Sequence, residues 1–184
     1  MDYELRRSNR KSIGLEVTED GLIVRAPRHA SVREIERVIA AHQGWIDKGM
    51  ARRERIRLKA REAGLLTEED IRRLAKEAKD YIPGRVSYYA GQLGVHPGRI
   101  TIRHQKTRWG SCSARQNLNF NCLLMLMPAE VIDSVVVHEL CHILEMNHSP
   151  RFYEHVLRVL PDYHRHHGWL KAHGPEIMAR MPGL

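Results

Sequence analysis

The stretch that most constrains this chain is His138-Glu139-Leu140-Cys141-His142, set at the end of an apolar run. Pro128, Ala129 and Glu130 open that run, and Val131, Ile132, Val135, Val136 and Val137 fill it. The length and the proline start predict a helix, apolar around nearly its whole circumference and therefore buried. Histidines four apart on a helix stand about 40° apart around the axis and one turn apart along it. Both imidazoles then reach one metal ion, and Glu139 projects beside the open coordination side. That is the pattern of a zinc ion that activates water with a carboxylate base at hand. Glu139 is the expected general base, passing a proton from the attacking water to a leaving amine. Interior histidines need partners, and a metal supplies them.

A zinc site that does hydrolysis has three protein ligands and one open position. After His138 and His142, the third ligand is to be found among His148, Glu154, His155 and Asp162. His148 fits best, because H-E-x-x-H followed by five residues and a histidine is the metzincin spacing. There a glycine lets the chain double back, where this chain has Glu145. Asn147 is the residue here that best tolerates a left-handed reversal. Ser149-Pro150 then starts the next helix, with proline at its first position. His164, His166 and His167 lie in a polar stretch and read as exposed, Cys141 as a small buried residue, and Met146 as core.

The rest of the chain reads as strands, then helices, then strands again. Residues 3–26 suggest two or three short antiparallel strands, with a turn at Thr18-Glu19-Asp20-Gly21. Ser31 and Glu34 form a capping-box pattern ahead of a helix carrying Val32, Ile35, Val38, Ile39, Trp45 and Ile46. The arginine-rich stretch beyond Met50 reads as a solvated helix or a linker ending near Gly64. Thr67 caps a long helix that Pro83-Gly84 is expected to kink or break, and Gly94 stops it. Residues 99–103 and 118–122 alternate as strands, flanking a loop at Lys106–Ser113 of functional length. Beyond Pro161 a shorter helix to about Ala172 and a loose tail are expected. The fold class is thus α+β, with residues 1–64 as an N-terminal unit and 65–184 as the metal-binding domain.

Three cysteines without C-x-x-C spacing point to free thiols in a reduced, cytoplasmic setting. The first residues lack an apolar segment of signal-peptide type, and no apolar run approaches the ~20 residues of a membrane span. The formal charge of +8 is concentrated in Arg52, Arg53, Arg55, Arg57, Lys59 and Arg61. It leaves nucleic acid open as a partner, although no aromatic residues interleave to stack bases.

Three further segments carry a family resemblance. Lys106-Thr107-Arg108-Trp109-Gly110-Ser111-Cys112, then Leu118-Asn119-Phe120-Asn121, then the histidine motif with Asn147-His148-Ser149-Pro150-Arg151-Phe152 together resemble the YgjP-like metallopeptidases. These are related to the SprT-like and WLM zinc peptidases. Tyr153 stands where that family usually has tryptophan. The resemblance implies a zincin-like minimal domain with a small antiparallel sheet, zinc on His138, His142 and His148, and Glu139 catalytic. It implies a protein or peptide substrate. The Arg-Trp-Gly-Ser-Cys loop is open to two readings. In one it is structural: Trp109 packs under the central helix, Gly110 makes a tight turn and Arg108 pairs with a carboxylate. In the other, Arg108 or Asn119 faces the cleft and binds substrate, with a peptide adding along Leu118–Cys122. Two alternatives to a plain zinc peptidase stand beside it: a DNA-associated SprT-like protease and a non-catalytic, zinc-stabilised binding module.

Overall fold

A computed structural model describes residues 2–18 and 20–181, so Glu19 of the expected turn lies outside the described residues. Contacts divide the chain into two compact units, Met1–Lys59 and Ala60–Leu184.

The first unit opens with β1 (Tyr3–Ser8), β2 (Gly14–Thr18) and β3 (Gly21–Pro27), in the order β1-β3-β2. It is not a meander. β2 and β3 pair antiparallel as a hairpin, but β1 runs parallel to β3, from Tyr3 beside Leu22 to Ser8 beside Pro27. The reason lies in composition: Leu22, Ile23, Val24 and Ala26 of β3 are all buried, and the central place is the one that buries a strand on both faces. The polar β1 takes the edge.

Ser31 Oγ accepts from the Glu34 amide and starts α1 (Val32–Ala41). The expected single helix to Ile46 is two. The backbone leaves helical geometry at His42, whose ring Nδ1 meets the Val38 carbonyl at 2.8 Å. α2 (Gln43–Glu62) follows at once, and its arginine-rich part is helical rather than a linker. Ile35, Ile39 and Ile46 pack on the sheet, whereas Trp45 stays half exposed.

The second unit is built on two helices. α3 (Glu68–Leu93) begins with a complete capping box between Thr67 and Asp70 and ends at left-handed Gly94. It runs through Pro83 as one helix. Its buried stripe from Leu74 to Leu93 supplies enough contact to offset the lost amide and the ring clash. α4 (Ala129–Cys141) is the central helix, buried at every position from Val131 to Val137. A charged clasp joins the two: Arg85 of α3 makes two 2.7 Å hydrogen bonds to the Asp133 carboxylate, and Tyr89 Oη donates to it at 3.1 Å. Hydrogen bonding to the Asp133 carboxylate, and its opposite charge, hold Arg85 above its ordinary range.

Strands β4 (Ile100–Arg103), β5 (Gly110–Cys112) and β6 (Leu118–Asn121) form a second mixed sheet in the order β4-β6-β5. β6 is parallel to β4 and antiparallel to β5. Leu118 and Phe120 point into the core. The loop expected at 106–113 therefore contains an unforeseen strand, β5. Its turn to β6 places Gln116 at φ 60°, among the described residues the one non-glycine with positive φ. A short 3-10 turn over Cys122–Leu126 leads to α4.

α5 (Pro150–Val159) starts from Ser149, whose hydroxyl accepts from the Phe152 amide. α6 (Tyr163–Met178) is longer than expected, and the chain from Gly174 to Met181 is not loose. Met181 is buried, and the Arg180 carbonyl accepts from the Leu66 amide. All three cysteines are free, and Cys141 is fully buried. Met146 is exposed, not core. Among the described residues, no helix is long and apolar enough to cross a membrane.

Candidate metal centre

Helical spacing puts His138 and His142 on one side of α4, and the short connection before α5 returns His148 to them. His138 Nε2 lies 3.2 Å from His142 Nε2 and 3.0 Å from His148 Nε2. One ligand nitrogen from each residue lies within 4.8 Å of the others, the one such group among the described residues. Neither Glu154, His155 nor Asp162 joins it. The reversal does not use a left-handed Asn147. Instead α4 unwinds through tighter turns, with the Ile143 amide on the Leu140 carbonyl and the Leu144 and Glu145 amides on that of Cys141.

Whether these residues fit a metal can be judged from their nitrogens. Tetrahedral zinc with nitrogen ligands holds neighbouring donors about 3.3 Å apart. Two of the separations come close to that. Two of the remaining ring nitrogens are occupied. His138 Nδ1 is 2.9 Å from Tyr163 Oη, and His142 Nδ1 is 3.2 Å from the Glu145 carbonyl. Such contacts orient the rings and leave each Nε2 lone pair for a cation. Burial, reinforced by His142 and His148, pushes His138 down to about 3, and burial also lowers His142. Both are therefore neutral imidazoles, the form that ligates. The donor set fits a metal ion.

Glu139 is 6% exposed, the most deeply buried carboxylate of the site. Burial pushes it up to about 8, against a downward pull from Arg108. Its neighbour is β5: a Cβ built on Gly110 would lie 2.6 Å from Glu139 Cγ and Oε1. Gly110 is thus glycine because the strand passes directly against the carboxylate, not because the chain turns there. In the pleat, Gly110 and Cys112 face α4 together with Phe120 and Leu118, while Ser111 and Asn119 point away. A cavity of about 220 Å³ opens beside the histidines, lined by Arg108, Trp109, Gly110, Glu139, Tyr163 and His167 among others.

Several readings of the loop change accordingly. The Asn119 side chain is held on the far face, accepting from Arg103 Nε at 2.9 Å and donating to Ser111 Oγ at 3.2 Å. It does not line the cavity. Arg108 is exposed at the cavity rim and, among the described residues, makes no ion pair with a carboxylate. The Trp109 indole lies against Gly174 of α6. The segment Leu118–Cys122 cannot take on a peptide strand, because β6 is paired on both sides.

Three residues of the site belong to no motif in the sequence. Tyr163 is 1% exposed, and its hydroxyl links His138 to His167 Nδ1 at 3.4 Å. His167 is half-buried at the cavity wall rather than exposed. Asn121 is buried, and its amide donates to the Gln105 and Arg108 carbonyls at 2.7 and 2.9 Å. It thereby shapes the segment leading into β5. The stretch of histidines after Pro161 was the one hint of Tyr163 and His167, and their polar setting masked it.

Over residues 66–173, more than half of the chain, the sequence matches the family described as YgjP-like, metallopeptidase domain. No curated protein matches the chain.

Proposed function

The chain belongs to the YgjP-like metallopeptidase family, and we propose that it is a zinc-dependent endopeptidase with Glu139 as general base. One observation carries the reading: three imidazoles converge on a common point with a buried carboxylate one residue from the first of them. His138, His142 and His148 would hold the ion. A three-ligand group with no fourth protein donor among the described residues supports a hydrolytic site over a purely structural one. Zinc held there supplies a Lewis acid that eases proton loss from water and polarises a carbonyl.

The protein's own groups do the rest. Glu139, enclosed by α4 and β5, takes a proton from the attacking water and returns it to the leaving amine nitrogen. A carboxylate whose burial raises its proton affinity is suited to that transfer. β5 is an edge strand of its sheet, so the side away from β6 offers backbone groups to an extended substrate. Arg108, at the cavity rim, is placed to hold the substrate carbonyl. With zinc on Nε2, His138 Nδ1–H would donate to Tyr163 Oη, 2.9 Å away, which keeps the imidazole turned toward the ion.

The purified protein should contain one zinc per chain and cut an unfolded protein in the middle of its sequence. Absence of bound metal after purification and zinc addition, measured by atomic absorption, would sink the proposal. Tyr163→Phe should keep the fold and weaken zinc binding about 10- to 100-fold in competition with a chromophoric chelator. An unchanged affinity would show that Tyr163 does not position His138.

A further inference from the structure

The parallel pairing of β1 with β3 sends two turns out from the same end of the first sheet, because Ser8 and Pro27 are register partners. The turn after β1 carries Asn9, Arg10 and Lys11, and the turn after β3 carries Arg28 and His29. With Ser8 they line a cleft of about 450 Å³. Arg10, Lys11 and Arg28 are basic, and no lining residue is acidic. Like charges gathered in a concave site raise each other's energy and create a field that draws anions.

The cleft is also held in shape. Arg7 Nη1 donates to the carbonyls of Pro27, Arg28 and Ala30 at 3.1, 3.1 and 2.7 Å, which fixes the second turn. Arg28 Nε donates to Asn9 Oδ1 at 3.1 Å, tying the two turns together. The Arg10 guanidinium lies against Gly14, where a Cβ would come within 2.7 Å of its Nη2. Arg10 Nε is buried and, among the described residues, meets no acceptor.

We propose that this cleft of the N-terminal unit binds a phosphate group through Arg10, Lys11 and Arg28. Two guanidinium forks and one ammonium suit a tetrahedral oxyanion with several acceptor oxygens. The hydroxyl of Ser8 and the amide of Asn9 add neutral donors. The phosphate could come from a free small molecule or from the backbone of a nucleic acid, and the chemistry is common to both. The site lies outside the matched metallopeptidase segment and does not depend on the reading of the metal centre.

The test uses the full-length protein and two probes. Inorganic phosphate is titrated calorimetrically, and a fluorescent single-stranded oligonucleotide is followed by polarisation at 50 and 200 mM salt. At least one probe should bind. The triple variant Arg10→Gln/Lys11→Gln/Arg28→Gln should weaken that probe at least 10-fold. For the oligonucleotide, the salt dependence should also become shallower by about one unit per lost contact. The control Arg52→Gln/Arg53→Gln/Arg55→Gln removes the same charge from α2 and should change binding less than about 3-fold by the same rule. Should the triple variant fail to fold, Lys11→Glu on an exposed side chain repeats the test and should weaken binding. Phosphate binding assigns a free ligand, and binding of the oligonucleotide alone assigns a nucleic-acid backbone. No binding of either probe, or equal losses in the cleft and α2 variants, overturns the site.

Discussion

Glu139→Gln should retain zinc and the native fold while lowering kcat/KM for peptide cleavage by about 10³-fold or more. Glutamine matches the carboxylate in shape and fills the same space between α4 and Gly110, so packing is preserved. What disappears is the group that takes the proton from water. Metal content, circular dichroism and steady-state kinetics on one preparation check the three parts together. Near-normal turnover with bound metal would remove Glu139 from the mechanism.

Gly110→Ala should have the second largest effect, a fall in kcat/KM of about 10²-fold. The added methyl group would sit 2.6 Å from the glutamate side chain, so the strand or the carboxylate must move. The displacement needed is close to an ångström, and an error of that size at a reacting group costs about two powers of ten. Zinc affinity should change little, because the atoms the added methyl group meets first belong to Glu139 and not to a histidine. Serine or valine at this position should be worse still, since each adds volume in the same direction. An alanine variant with parental kcat/KM would show that β5 does not press on Glu139 in solution.

These two positions also mark what a reader of the sequence can and cannot see. The spacing His138, His142 and His148 is local, and helix geometry alone places the first two on one face. The burial of α4 was legible from its valines and isoleucine. The caps at Ser31, Thr67, Gly94 and Ser149 were legible too, because capping is chemistry between near neighbours. Gly110 was visible only as a turn former. Its real constraint is a carboxylate on another element, and nothing nearby in the chain announces it. Likewise β5 is three residues long, Gly-Ser-Cys, with little intrinsic strand preference. Pairing with β6 makes it a strand.

The first sheet shows the same limit. Asp20-Gly21 marks the hairpin, but the polar Tyr3–Ser8 segment pairs by its position beside β3, not by its own pattern. Pro83 taught the opposite lesson. A residue that breaks helices in isolation sits inside 26 helical residues, because tertiary burial along α3 outweighs the local penalty. Tyr163 was out of reach for a third reason. It meets His138 across a separation of 25 residues, and its hydroxyl identifies itself only once α6 is docked.

The edge position of β5 has a further side. A strand with an open flank is a template for any extended chain, including another copy of the same protein. Long, flat, apolar edges invite that kind of aggregation. β5 exposes only three residues, one of them glycine. So short an edge offers few backbone hydrogen bonds to a second protein molecule, while the peptide substrate proposed above would need only a few.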